Sequence, residues 1–137
     1  MNRDSHSDEK IMDILSMKTI AVIGMSKNPS KAAHYVPKYL IDHGYDVTPV
    51  NPTADVILEK QCCDSVSEIK GTVDIIDVFR PSDQISSIIR DCIAKKPKVI
   101  WLQEGIHDFE SEELARQAGI TVIFNRCMLA EHQRLSS

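Results

Sequence analysis

A chain of 137 residues, 42% hydrophobic and 26% charged, has enough apolar material for one sizeable core and little room for a second domain. Five Gly and six Pro with charge mixed along the chain exclude a low-complexity polymer, and sixteen basic against twenty acidic residues leave a net charge of −4. That balance gives no global attraction for nucleic acid or anionic lipid, so neither is expected as a partner and any anion binding must be local.

No window approaches the roughly 18 apolar residues that span a bilayer, and the polar start lacks the apolar stretch of a secretory signal, so a cytoplasmic location is expected. Cys62, Cys63, Cys92 and Cys127 form no C-x-x-C pair, and adjacent Cys62 and Cys63 are poorly placed to bridge each other. They read as reduced thiols.

In chain order, residues 1–8 are polar and expected to fray, after which Ile11, Met12, Ile14 and Leu15 recur at helical spacing. Residues 1–17 thus read as a polar segment with a short leading helix. Residues 19–23 are a continuous apolar run ending at Gly24, the pattern of a strand buried on both faces. Ala33, Val36, Tyr39 and Leu40 then mark a helix before His43-Gly44. Pro37 predicts either a start near Val36 or an irregular first turn. Residues 45–50, 73–79, 98–102 and 121–124 are rich in β-branched or aromatic residues and bring the strands to five.

Ile85, Ile88, Ile89, Cys92 and Ile93 form an apolar stripe after Pro81, with Ser82 or Asp83 as its expected cap, and residues 110–118 form a shorter one. Residues 51–71 are the least periodic, with only 65–69 resembling a helical turn. Strands alternating with helices predict an α/β fold: a single doubly wound Rossmann-like domain over residues 18–132, with a five-stranded parallel sheet, helices on both faces, and a tail at 133–137. Such sheets bind ligands at the carboxyl ends of their strands.

Candidate functional residues stand at those ends. After the first strand, Gly24-Met25-Ser26-Lys27-Asn28-Pro29-Ser30-Lys31 offers a close backbone approach, hydroxyls, the amides opening the next helix, and two ammonium groups, together a phosphate cradle. It is not the dinucleotide fingerprint, because Ser26 and Pro29 occupy the second and third glycine positions. The second strand ends in Pro49-Val50-Asn51-Pro52, without the carboxylate that an NAD site presents to the ribose. After the third, Phe79-Arg80-Pro81 pairs an aromatic face with a guanidinium that could stack on a base or hold a phosphate. After the fourth, Gln103 and Glu104 share the rim, while Trp101 alternates with buried positions and reads as core.

Taken in order, GMSKNPSK, PVNP, DVFRPSD, WLQEGI and NRCM resemble the small stand-alone coenzyme A-binding protein family across about residues 18–132. The same fold forms the N-terminal domain of the succinyl-CoA synthetase α subunit and related acyl-CoA synthetases. The resemblance implies coenzyme A as ligand, its diphosphate on Gly24, Ser26, Lys27, Asn28 and Pro29 and its 3′-phosphate within reach of Lys31. It further implies that Asn51 and Pro52 border the adenosine, that Phe79, Arg80 and Pro81 flank the adenine or the pantetheine arm, and that Gln103 and Glu104 line the arm's path. The residues themselves suit that ligand better than NAD, since a 3′-phosphate would be repelled by a carboxylate at the second strand end.

No catalytic constellation emerges. His107 reads as a solvated loop histidine, Cys127 as a small buried residue whose thiol Arg126 could acidify, His34 as a backbone partner, and Tyr35 and Tyr39 as packing. Cys127 and His132 lack companions for a metal site, and none is expected. The leading expectation is a non-catalytic binder of coenzyme A or an acyl-CoA, acting as carrier, sensor or partner subunit, with a homodimer or partner protein allowed by the apolar faces of the terminal segments. The alternatives are a nucleotide-dependent enzyme, either an NAD(P) oxidoreductase or a thioester-handling enzyme using His107 or Cys127, and an interaction module with a vestigial pocket.

Overall fold

The computed structural model describes residues 2–136. In chain order it has α1 (Asp8–Leu15), β1 (Thr19–Ile23), α2 (Ala32–Asp42), β2 (Asp46–Val50), β3 (Val56–Ile57), β4 (Lys60–Gln61), β5 (Ile75–Val78), α3 (Ile85–Ala94), β6 (Val99–Leu102), α4 (Phe109–Gln117), β7 (Thr121–Ile123) and α5 (Met128–Leu135). Five strands form one parallel sheet in the order β2-β1-β5-β6-β7, the doubly wound α/β architecture that the alternation predicts. Both faces are dry because the strands are apolar at consecutive positions. Ile20, Val22, Ile75, Val99 and Trp101 pack under α1, α2 and α5, while Ala21, Ile23, Ile76, Val78, Ile100 and Leu102 pack under α3 and α4.

β1 lies next to the central strand β5, paired with β2 on one side through Ile20↔Val47 and with β5 on the other through Ile20↔Ile75. The chain leaves β1 in one direction to build β2 and returns past it to build β5. The crossovers therefore diverge at the carboxyl ends of β1 and β5, opening the crevice where such sheets take ligands.

Four local expectations need correction. Residues 2–6 do not fray: the Asp4 carboxylate accepts hydrogen bonds from the Phe124 amide (3.1 Å) and from Arg126 Nε and Nη2 (3.0 and 2.7 Å), and Arg126 Nη2 also reaches the Asp4 and His6 carbonyls. Arg126 and Asp4 are buried together, with Glu131 on the guanidinium's other side at 2.8 Å. Ser82 and Asp83 do not cap α3 either. They belong to a 3₁₀ turn (Ser82–Gln84), and the Ser82 hydroxyl instead accepts the His107 amide at 3.0 Å.

The segment read as irregular contains the β3-β4 hairpin, whose turn residues Leu58 and Glu59 are both left-handed (φ 51° and 64°). Its turn lacks the Asn-Gly or Asp-Gly signal that normally marks such a pair. The chain just after β4 docks on β2 by a Val50↔Cys63 bridge, with Asn51 N–H donating to Cys63 O at 2.9 Å, and so fixes the end of β2. Finally, α2 runs through Pro37 from Ala32, with consequences for the site.

Candidate ligand site at the diverging strands

Gly24 closes β1 with φ +83°, the left-handed region where a Cβ is strained. A Cβ built there would stand 2.5 Å from the Phe79 carbonyl oxygen, so the residue must be glycine both for its conformation and for the approach of β1 to the end of β5. Its amide donates to Val50 O at 3.0 Å, tying the ends of three strands together.

Beyond Gly24 the loop shapes itself. The Ser26 hydroxyl accepts the Asn28 amide (3.1 Å), and Asn28 Oδ1 accepts both the amide and hydroxyl of Ser30 (3.0 and 2.8 Å). His34 Nδ1 donates to Ser26 O at 2.7 Å, the backbone role expected for it. Pro37 supplies a less obvious brace. Lacking an N–H, it leaves the carbonyl of Ala33, one helical turn back, without its usual intrahelical donor. Ser26 N–H occupies that carbonyl at 3.0 Å. The proline that makes the helix awkward thus frees the acceptor that anchors the loop.

Replacing Pro37 by Ala should restore a competing helical donor and loosen the Ser26 turn while leaving thermal stability equal or higher. Hydrogen exchange at the Ser26 amide checks this directly, since equal protection in both proteins would show that the carbonyl is not shared.

Lys31 precedes α2 with extended backbone, and no side chain caps the amides of its first turn, of which His34 N–H donates to Lys31 O at 2.9 Å. The resulting cavity, about 510 Å³, is lined by Gly24, Ser26, Lys27, Lys31, Asn51, Phe79 and Arg80, together with Met25, Ala33, Thr53 and Ala54. Three of its lining residues are cationic and none is acidic. The helix end and the ammonium and guanidinium groups therefore favour the same charge on a ligand.

Two smaller cavities adjoin it. One, about 110 Å³, is mostly apolar, with Val50, Pro52, Val66 and Ile88 in its lining, but also carries Asp64 and Asp91, and shares Arg80 with the cradle. The other, about 120 Å³, is lined by Ala32, Tyr35, Gln103, Glu104, Ile106 and Cys127, with Phe79 shared. The second therefore continues the cradle past the Phe79 ring and along the start of α2.

The thirteen residues singled out from the sequence fall into distinct groups here. Seven converge on the large cavity, Pro52 and the Gln103-Glu104 pair on the flanking ones. Asn28, Pro29 and Pro81 line none of them; Asn28 and Pro81 act through backbone shape, Pro81 by entering the 3₁₀ turn with extended backbone (φ −52°, ψ 149°). Asn51 is a lining residue whose polar atoms serve the fold: Nδ2 donates to Met25 O at 2.9 Å, and Oδ1 accepts from the amide and hydroxyl of Thr53. Tyr35, expected to pack, is 47% exposed and lines the arm of the crevice; Met25, Thr53 and the two alanines gave no signal because small or buried residues carry none.

His107 lies in a loop and is half-exposed, as expected, but its ring is held. Its Nδ1 donates to buried Glu112 Oε2 at 2.6 Å, and its ring stacks on Phe124 at 4.2 Å between centroids. Arg126 does not acidify Cys127, because its guanidinium is occupied by Asp4 and Glu131. Burial pushes the Cys127 thiol above its ordinary range, outweighing the amides of Ala130 and Leu129 that favour the thiolate. Trp101 is fully buried, as expected, with Nε1 donating to Arg126 O at 2.7 Å. All four cysteines are free thiols. Among the described residues, no helix is long and apolar enough to cross a membrane.

These features define a class: a doubly wound α/β domain with an uncapped helix end and three cations gathered at its strand divergence. Residues 18–133 match the CoA binding domain family, and the chain belongs to that family. It is 36% identical over 127 residues to the uncharacterized protein YneT of Bacillus subtilis, covering 92% of this chain and 94% of that one. A hypothetical protein from Pyrococcus horikoshii OT3 has the same fold at a TM-score of 0.93 and 36% identity, each chain covered in full. The acetate-CoA ligase (ADP-forming) II of Archaeoglobus fulgidus is 31% identical over 124 residues, which span 82% of this chain and only 18% of the ligase.

Proposed function

We propose that the protein binds coenzyme A or an acyl-CoA at the carboxyl ends of β1 and β5, as a non-catalytic carrier, sensor or partner subunit. The observation that carries this reading is the large cavity, whose lining contains Lys27, Lys31 and Arg80 and no carboxylate. A diphosphate on the Ser26 turn and the start of α2 would be met by oriented amides and nearby positive charge. The apolar cavity beside Pro52 suits the adenine, with Arg80 free to stack on it, and the cavity beyond Phe79 suits the arm. The end of β2 argues against NAD, because Asn51 stands where a ribose-binding carboxylate would be and its own polar atoms are engaged in the loop. The ligases that share this domain extend far beyond it, so ligase activity is not carried over to this chain.

Calorimetric titration with coenzyme A, dephospho-coenzyme A and NAD tests the reading. Coenzyme A should bind, removal of the 3′-phosphate should weaken it, and NAD should give no heat. Lys27→Ala should cost about 1 to 3 kcal/mol of binding, the range for a charge-assisted hydrogen bond. Absence of heat with coenzyme A at millimolar concentration would refute the assignment.

A further inference from the structure

Asp77 sits in the middle strand of the sheet, flanked in register by Val22 and Trp101, with no exposed surface. A carboxyl group in such surroundings is costly unless it is well partnered. Oδ1 accepts a hydrogen bond from Gln103 Nε2 at 2.5 Å, and Oδ2 has no partner among the described residues. Burial raises the group to about 7, and its charge bears on the Cys127 thiol at the start of α5. Nothing in the packing of the sheet calls for an acid there. Its effect is on Gln103.

Gln103 is 3% exposed and lines the cavity beyond Phe79. Its amide is held at both ends, with Nε2 donating to Asp77 and Oε1 facing the first amide of α5, Met128 N–H, at 3.4 Å. A carboxamide has two N–H donors and two acceptor lone pairs. One of each is used by the protein, which leaves one N–H and one lone pair on a side chain that cannot turn over without facing Met128 N–H with a second donor. That remaining pair is the complement of a secondary amide.

We infer that Asp77 is a positioning residue which locks the Gln103 carboxamide in one orientation, so that the cavity beyond Phe79 reads an amide-bearing arm rather than any apolar chain. The inference rests on the coenzyme A reading and names what the second cavity recognises. Asp77 touches no ligand itself. Its role is to remove the alternative orientation of Gln103.

The test compares coenzyme A with 3′-phospho-ADP, which carries the same phosphates and no arm, by calorimetry on the full chain. In the natural protein coenzyme A should bind more tightly than the arm-less nucleotide. Asp77→Val, which removes the acceptor, should cost coenzyme A about tenfold in affinity and leave 3′-phospho-ADP within about twofold, the size expected for one lost hydrogen bond. Asp77→Asn keeps an acceptor for Nε2 and should restore the discrimination. Gln103→Met keeps the bulk without the amide and should reproduce the loss, so it decides the matter if Asp77→Val fails to fold. An unchanged ratio of the two affinities in Gln103→Met, or an Asp77→Asn variant as impaired as Asp77→Val, overturns the inference. If the natural protein binds both nucleotides equally, the phosphate half of the functional reading stands and this inference falls. If it binds neither, both fall.

Discussion

Asp77→Asn will stabilise the protein more at pH 8 than at pH 5. Burial raises the Asp77 carboxyl from its ordinary value near 3.8 to about 7. Between those two values the folded state holds a proton that the unfolded state has lost, so stability falls as pH rises from about 4 to about 7 and stays low beyond. Asparagine has no proton to lose, and its side-chain oxygen can still accept from Gln103. The stability difference between variant and natural protein should therefore widen by roughly 2 to 3 kcal/mol from pH 5 to pH 8. Urea unfolding at the two pH values measures it; parallel profiles would mean that the carboxyl is solvated. The cost of this acid is borne by the whole sheet, which agrees with a role outside folding.

Arg126→Met will have the opposite sign and a comparable size. The guanidinium is 4% exposed at its side chain and lies between Asp4 and Glu131, which are as deeply covered. Removing it leaves two carboxylates without their cation. Glu131 keeps Arg134 at 2.7 Å, whereas Asp4 keeps only amides and will swing out with residues 2–6. Escape of the strap limits the loss below that of an ion pair sealed in a core, to about 3 kcal/mol, or a fall in Tm near 10 °C. The accompanying signature is faster hydrogen exchange at Phe124 N–H, which donates to Asp4 in the natural protein. A fall in Tm without that change would place the loss elsewhere.

The layered fold was legible because its strands are short, apolar and evenly separated by helical stripes; residues 19–23 coincide with β1 at both ends. Seven residues of the cradle region converge because the carboxyl ends of parallel strands are brought together by topology alone, whatever the side chains do. What escaped has equally physical causes. The Leu58-Glu59 turn uses left-handed residues of types that seldom adopt that conformation. Pro37 was visible as a defect, but its benefit lies in a carbonyl that only the folded loop can use. Asp77 did leave a signal, an acid inside the apolar strand 75–78, and its meaning depended on Gln103 at the end of the neighbouring strand. Arg126 looked like a modifier of Cys127 because the two are adjacent in sequence, whereas its partners come mainly from the other end of the chain.

The clasp between Asp4 and residues 124–126 joins positions separated by 120 residues or more. During synthesis, Asp4 cannot meet these partners until residues 124–126 have left the ribosome. Closing so large a loop is entropically slow relative to the local βα units. The amino-terminal strap is therefore expected to lock last, as the step that seals an already assembled sheet.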